Sequence, residues 1–385
     1  MSKTLATAEG TRRYAERLTE RLLEPSAERS PERSTERPAP GHFRSVPLGG
    51  AGRQLDSPAL SLGSLGLGSY TGPVTDAADE EYADAVELAV RGGVNVIDCA
   101  INYRHMRSER ALGAGLRRLF ASGDCSRDEV FVMTKGGYLP FDGAPPRDPE
   151  QYYRETYLES GLLRPEQIVD GCHAIAPAYL ADQLSRSLAN FGLPAVDVYF
   201  LHNVEQQLNG VDGATFRRRV AEAFAHLESE VAAGRIGWYG VATWSGFFKP
   251  PRTPGALSLE ALCELAREAG GERHHFAVVQ APFNPAMPEA ADEPTQEWNG
   301  ERVPLLQAAM RAGLYMVTSV PLMQTQVLPR LPQEWAKSFL PLTSRAQWAL
   351  QWARSTPGVG APLVGMRSRA HVEENLRVAS VPPLG

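Results

Sequence analysis

The stretch Val94-Asn-Val-Ile-Asp-Cys-Ala-Ile-Asn-Tyr103 opens on a short apolar run and closes on two groups that carry chemistry, Asp98 and Tyr103. Two further runs have the same form: Val130-Phe-Val-Met133, followed by Lys135, and Val198-Tyr-Phe-Leu201, followed by His202. Each is rich in β-branched and aromatic residues and is separated from the next by sequence of helical period, which is how buried parallel strands read. Polar groups just past the ends of such strands are where α/β enzymes keep their chemistry.

Working outward, strand and helix alternate from about Arg44 onward. Residues 44–62 read as an irregular hairpin turning at Gly49-Gly50. Leu62-Gly-Ser-Leu-Gly-Leu-Gly68 reads as a first core strand, thinned by glycine where another backbone or a ligand comes close. Residues 79–91 carry a helical apolar face that stops at Gly92-Gly93, before the strand at 94–98. A helix at 109–119 leads to the strand at 130–135, and one at 179–191 to the strand at 196–201. Helices at 215–233, 258–269, 302–312 and 344–354 precede strands at 236–242, 276–280, 314–319 and 361–364, and a last helix starts near His371. Eight strands, each followed by a helix, is the count of a closed (β/α)8 TIM barrel. An open, doubly wound sheet would need a glycine-rich first turn such as GxGxxG, which Gly66-Leu-Gly-Ser-Tyr70 does not supply.

Two stretches break the rhythm. Residues 136–177, with Pro145-Pro146, Tyr152-Tyr153 and His173, have no single period. A loop of that length inside a compact domain is functional or disordered, and its aromatics point to a partly ordered insertion covering a site. Residues 1–40 are full of Arg, Glu, Ser and Pro. We expect residues 1–43 to be a mostly disordered extension and 44–385 to form the barrel. Tyr14, Leu18 and Leu22, at i, i+4 and i+8, offer the alternative of an amphipathic, partner-docking helix before Pro25.

The composition, 43% hydrophobic and 22% charged, is globular. A formal charge of -6 leaves no basic footprint for nucleic acid and no polybasic membrane patch. Cys99, Cys125, Cys172 and Cys263 form no CxxC pair or Cys/His ladder, so neither zinc nor a disulfide framework is expected. His274-His275 reads as a surface pair at a strand entry. No apolar run approaches the roughly 20 residues that span a bilayer. The N-terminus lacks a secretory apolar region and has too many acids for a transit peptide, so a cytoplasmic setting is the expectation.

On a barrel, all strand C-termini meet at one rim, so Asp98, Tyr103, Lys135 and His202 can converge. A free phenol, with a pKa near ~10, donates its proton poorly at neutral pH. An adjacent ammonium lowers that pKa, a role for which Lys135 is suited, with Asp98 holding it charged and oriented. His202 could donate a hydrogen bond to a substrate oxygen or relay a proton. Such a group can protonate an oxygen in one direction and deprotonate it in the other; having no strong nucleophile beside it, it implies an external reductant. One buried Asp–Lys pair or one strand-end histidine is usually structural, but four such residues in order are far less expected by chance.

Gly93-Val-Asn-Val-Ile-Asp-Cys-Ala100, then Tyr103, Ser108-Glu109 and Leu112-Gly113, are similar to the signature G-x-N-x-[IF]-D-T-A…Y…S-E…L-G of the aldo-keto reductase family. Thr134-Lys135, Leu201-His202, Gly240-Val241, Gln280 and Gly365…Glu374-Asn375 match later landmarks, so the resemblance runs from about Arg44 to Arg377. It implies a hydride-transferring enzyme that takes a nicotinamide cofactor without a Rossmann fold. Asp98, Tyr103, Lys135 and His202 align with the family's catalytic residues, Tyr103 as general acid/base. For the cofactor it implies Ser69 and Tyr70 after the first strand, Thr243 and Gln280 on the carboxamide, and Ser319 beside the ring. After Gly365, which opens the cofactor segment, Met366 to Ser368, including Arg367, fall where the adenosine 2′-phosphate is held, with His371 near it and Glu374 and Asn375 on the adenine.

Several positions depart from that pattern. Thr243 stands where relatives usually carry Asn, and Ser319 where they commonly carry an aromatic that stacks on the nicotinamide, which leaves Tyr70, Trp244 or another ring for that role. His371 replaces a common Arg or Gln, so a preference for NADP(H) over NAD(H) rests on Arg367, whose guanidinium matches phosphate geometry. His105 and Arg107 could bind an acidic or hydroxylated substrate, though loop salt bridges are the favoured reading. The expectation is a divergent bacterial-type reductase acting reversibly on a small carbonyl or alcohol, with no nucleic acid or membrane partner. The competing class is a nucleotide-binding regulatory or scaffold subunit with little turnover.

Overall fold

A computed structural model of the chain describes residues 4–20, 37–49 and 59–384. In chain order, helix α1 (Ala8–Glu20) is followed by strands β1 (Phe43–Val46), β2 (Leu60–Gly63) and β3 (Gly66–Gly68). Then come α2 (Asp76–Arg91), β4 (Val96–Asp98), α3 (Arg107–Ser122), β5 (Phe131–Gly136), α4 (Pro149–Tyr153), α5 (Pro177–Phe191) and β6 (Val196–His202). Next are α6 (Gly213–Ala232), β7 (Ile236–Ala242), α7 (Leu259–Gly270), β8 (Phe276–Pro282), α8 (Glu289–Asp292), β9 (Gln296–Trp298) and β10 (Glu301–Val303). The chain ends through α9 (Leu305–Arg311), β11 (Tyr315–Ser319), α10 (Trp335–Ser338), α11 (Arg345–Ser355), β12 (Ala361–Gly365) and α12 (Arg369–Ala379). β3 to β8, β11 and β12 close into a barrel in the order β11-β12-β3-β4-β5-β6-β7-β8, all pairings parallel. This is the expected (β/α)8 architecture.

Local chemistry starts and stops these elements where the sequence says. Thr75 caps α2 by accepting from the Ala78 amide, Asp76 and Asp79 complement the positive helix end, and Gly92 follows its last turn. Tyr82, Val86 and Ala89 turn inward from that helix. Strands β5, β6 and β8 are buried along their whole length, as strands covered by helices must be. Val96, Phe131, Met133, Val198, Phe200, Val278 and Val317 fill the barrel interior with Leu363. Glycine at position 66 makes room for the last of these, because a Cβ there would lie 2.6 Å from Leu363 Cδ2.

The N-terminal end of the barrel is sealed by the hairpin β1–β2, whose Val46, Leu60 and Leu62 join the interior cluster. Its connection at Gly49-Gly50 runs into residues outside those described. The reading of residues 62–68 as one strand is corrected: β2 pairs antiparallel with β1 as far as Gly63, and β3 begins the barrel at Gly66. A second correction concerns residues 302–312, where β10 pairs with β9 before Pro304 and the helix starts only at Leu305.

The expected disorder of residues 1–43 does not hold for the part described. Tyr14 and Leu18 of α1 are buried, and the Tyr14 hydroxyl donates to the Val90 carbonyl at 2.5 Å. Arg13 and Arg17 bond the Asp128 and Glu129 carboxylates ahead of β5, and the Ala6 amide donates to Asp197 Oδ1 at 2.6 Å. The apolar spacing wins because the barrel's own acids and aliphatic surface supply the partner. Leu22 and Pro25 lie outside the described residues.

The insertion between β5 and α5 builds a small core from Leu139, Tyr157, Leu163 and Ala174, joined by Tyr179 of α5. The Tyr153, Tyr157 and Tyr179 hydroxyls pin it by donating to the carbonyls of Leu139, Pro140 and Tyr138. His274, expected at the surface, is buried, while His275 pairs with Glu228 at 2.7 Å. Among the described residues no helix is long and apolar enough to cross a membrane.

Candidate active site

β4, β5 and β6 are adjacent, and their C-terminal ends bring the first three polar residues together. Asp98 ends β4, Lys135 is the penultimate residue of β5, and His202 ends β6. Tyr103 comes from the turn after β4, where Arg104, His105 and Met106 all take left-handed φ values of 49°, 56° and 70°. That conformation is costly for side chains with a Cβ. It is held by Arg104, which donates to the Pro73 carbonyl and to Asp79, and by Arg107, which pairs with Asp76 and Asp79. The loop salt bridges expected of Arg107 are therefore present, and His105 instead meets Phe141 of the insertion, ring centroids 5.7 Å apart.

Lys135 is fully buried, and its ammonium donates to Asp98 Oδ1, Asp98 Oδ2 and the Cys99 carbonyl, each at 2.7 Å. Tyr103 Oη lies farther away, at 3.5 Å. Gln280 Nε2 donates to the same Asp98 carboxylate at 3.1 Å, so both of its oxygens are engaged. Burial pushes the Asp98 carboxyl up from its ordinary value while Lys135 and Gln280 pull it down.

The expected lowering of the Tyr103 pKa is overturned. Burial pushes this phenol well above its usual value, and the Asp98 carboxylate adds to the effect. The reason is the packing: burial outweighs the Lys135 ammonium, which Asp98 engages more closely than the phenol does. Tyr103 is thus a neutral O–H donor at physiological pH. His202 is driven well below its usual pKa by burial, then by Lys135 and His173, so it too is neutral. Its ring stands edge-on to Tyr103, centroids 5.8 Å apart, and its Nδ1 is buried without a partner.

A cavity of about 930 Å³ opens over these groups, within the range of a cofactor-plus-substrate site. Asp98, Tyr103 and His202 form part of its wall, with Lys135 beneath them. Of the cofactor residues, Ser69, Tyr70, Thr243, Gln280, Ser319, Gly365, Arg367 and His371 also line it. Ser368, Glu374 and Asn375, on α12 or at its cap, are not part of the wall. The Ser368 hydroxyl caps that helix by accepting from the His371 amide, the Glu374 carbonyl accepts from Gln347, and Asn375 is buried on the helix's inner face. The Ser69 hydroxyl is spent on the Asp98 carbonyl at 3.0 Å. Arg367 reaches the cavity but is paired with Glu81 at 2.7 Å.

Thr243 Oγ1 is buried in the wall without a partner, as is Asn102 Oδ1. Buried polar atoms of this kind need a hydrogen bond to offset their desolvation, and both belong to residues that line the cavity. Tyr70 and Trp244 stand at the mouth with 59% and 52% of their surface exposed, large apolar faces available for stacking. The Trp244 loop is anchored from below, the Trp244 and Ser245 amides both donating to Glu205 Oε1.

Sequence reasoning missed Tyr138, Asn203 and Asn102, and the loop Val320–Thr325 beyond β11. Val320, Met323, Gln324 and Thr325 in that loop have φ between 49° and 71° and line the cavity. Asn203, next to a strand-end histidine and of a residue type that tolerates left-handed backbone, carried a usable signal. Tyr138 sits in an aperiodic stretch and carried none.

A closed eight-stranded barrel with a carboxylate–ammonium pair beneath a phenol and an imidazole defines a class of α/β barrels with acid–base groups at the rim. A profile of the aldo/keto reductase family matches residues 59–248 and 260–384, and the chain belongs to that family. The chain is 35% identical over 71 residues to aldose reductase B of Dictyostelium discoideum, a match spanning 18% of this chain and 21% of that protein. Its fold is similar to that of an aldo/keto reductase from Klebsiella pneumoniae solved with NADP and acetate (TM-score 0.59, 19% identity, 89% of this chain and 92% of that one). It is also similar to the holo form of an aldo-keto reductase from Bacillus halodurans (TM-score 0.55, 18% identity, 89% and 93%).

Proposed function

We propose that this chain is an NAD(P)H-dependent oxidoreductase that reduces an aldehyde or ketone to the alcohol, reversibly, with NADP(H) favoured over NAD(H). The observation that carries this reading is the neutral Tyr103 phenol at the cavity wall, 3.5 Å from an ammonium that Asp98 clamps from behind. Family membership and the NADP-bound relative support it.

The residues present fit a nicotinamide nucleotide. The unpartnered Thr243 hydroxyl and the Gln280 amide would hold the carboxamide, Tyr70 or Trp244 would cover the ring, and Arg367 with His371 would meet the adenosine phosphate. When bound, the cofactor supplies hydride to the carbonyl carbon. Tyr103 and His202 orient the carbonyl oxygen between them, both neutral and both donors. As negative charge develops on that oxygen, its basicity overtakes that of the phenol and Tyr103 Oη releases its proton. The Lys135 ammonium at 3.5 Å then stabilises the phenolate left behind. In oxidation the same phenolate removes the alcohol proton.

Tyr103→Phe keeps the ring and deletes the proton. Turnover on a panel of aldehydes and ketones is expected to fall by at least ~100-fold, the low end of what a positioned acid contributes. Nucleotide affinity by fluorescence titration should be unchanged. Turnover close to wild type would refute the assignment, and tight nucleotide binding with no turnover in the wild-type chain would favour a binding subunit.

A further inference from the structure

The insertion after β5 touches the cavity through one residue, Tyr138, and that residue is held from three sides. Its backbone bridges His173, and its carbonyl accepts from the Tyr179 hydroxyl at 2.7 Å. Its phenol oxygen accepts from Asn203 Nδ2 at 2.9 Å, an amide aimed by the left-handed turn (φ 47°) that follows His202. The ring stands edge-on to His202 and to His173, each with centroids 5.1 Å apart. His173 in turn is fixed by accepting from Gln207 at Nδ1 (2.8 Å) and donating from Nε2 to the His202 carbonyl (2.7 Å).

Two phenols therefore meet one imidazole. Tyr103 and Tyr138 both stand edge-on to the His202 ring, and all three line the cavity. Asn203 already occupies an acceptor site on the Tyr138 oxygen, and the Tyr138 O–H donates to no protein group among the described residues. Burial raises the Tyr138 pKa, so the proton stays on the oxygen at physiological pH. With a substrate carbonyl held by Tyr103 and His202, the second phenol against His202 is Tyr138, which an oxygen on the neighbouring carbon would meet. Arg367 is the only lysine or arginine among the described residues lining the cavity, and it pairs with Glu81, so the wall offers no unpaired lysine or arginine to an anionic substrate.

From this juxtaposition we infer that Tyr138 is a specificity-determining donor, selecting neutral carbonyl substrates with a hydroxyl or second carbonyl oxygen next to the reacting carbon. The inference rests on the reductase reading above and adds the substrate class to it. The donor is preorganised, so its hydrogen bond is made at little entropic cost. A substrate lacking the oxygen leaves the phenol facing an apolar group, and that mismatch sets the discrimination.

The test compares 3-hydroxybutan-2-one with 3-methylbutan-2-one, which differ by hydroxyl against methyl at constant size, in the wild-type chain and in Tyr138→Phe. The wild type should prefer the hydroxylated ketone by about 3- to 10-fold in kcat/KM, the worth of one neutral hydrogen bond. In Tyr138→Phe that ratio should collapse toward one, the larger fall being on the hydroxylated ketone. An equal fall on both ketones would make Tyr138 merely structural and overturn the inference. So would a wild-type chain that reduces both ketones without preference, although the reductase reading would then stand. No turnover of either ketone or of a wider carbonyl panel, with NADPH and with NADH, would overturn both.

Discussion

Arg367 is where a structural demand and a binding demand meet. It is the guanidinium nearest the proposed phosphate position, and it is also one half of an ion pair with the partly exposed Glu81 on α2. A surface pair of this kind contributes at most about 1 kcal/mol, so a phosphate dianion can displace the carboxylate, at the cost of that pair. Glu81→Gln is expected to tighten NADP+ relative to NAD+ by about fivefold, the equivalent of ~1 kcal/mol. Fluorescence titration of both nucleotides reads the ratio, and an unchanged ratio would remove Arg367 as the phosphate partner. The same scale explains one misreading. Lys135 and Tyr103 are legible as an amine and a phenol near each other, but which of Asp98 and Tyr103 holds the ammonium depends on 2.7 Å against 3.5 Å. No spacing in the sequence encodes that difference.

Among the elements, α1 was the least legible. Its apolar residues are few and its neighbourhood is dense in charge, the composition of a solvated tail. What orders it is a surface made by residues more than a hundred positions away: the Asp128 and Glu129 carboxylates and the start of β6 at Asp197. These lie at the strands' N-terminal ends, opposite the cavity, where barrel residues serve stability. Tyr14→Ala should therefore destabilise the chain by roughly 3 kcal/mol or more in chemical denaturation, the range for deleting a buried aromatic. Nucleotide affinity of the folded variant should be unchanged. A loss of affinity without a loss of stability would place α1 in the functional site instead. The insertion gives the opposite lesson, because its aromatics were visible as a group but its fold depends on tyrosine hydroxyls meeting particular carbonyls.

For the whole molecule, burial of histidines sets the response to acid. Burial holds His42 down at about 3 and His173 at about 4, with His202 well below its usual value. The unfolded chain takes up these protons first as the pH falls, so the contribution to stability is complete above about 6.5 and is lost toward the folded values. Asp98, Glu109 and Asp197, raised by burial, act in the opposite sense at the acid end. A single-site comparison isolates the effect: His173→Gln should flatten the pH dependence of unfolding free energy between pH 6.5 and 4 by about one proton, or ~1.4 kcal/mol per unit. Parallel curves for the two proteins would show that His173 is not held neutral by the fold.

The eight strands, their order and the identity of the four rim residues could be read from the chain because they are local properties. A strand buried on both faces must be apolar for its whole length, and the residue that ends it is fixed by counting. Closure of the barrel then brings Asp98, Lys135 and His202 together without any further information. Protonation states, the partner of Arg367, the seat of α1 and the approach of Tyr138 to His202 were settled only in three dimensions. Each depends on distances between segments that share no period, and on how much water the packing excludes from the groups between them.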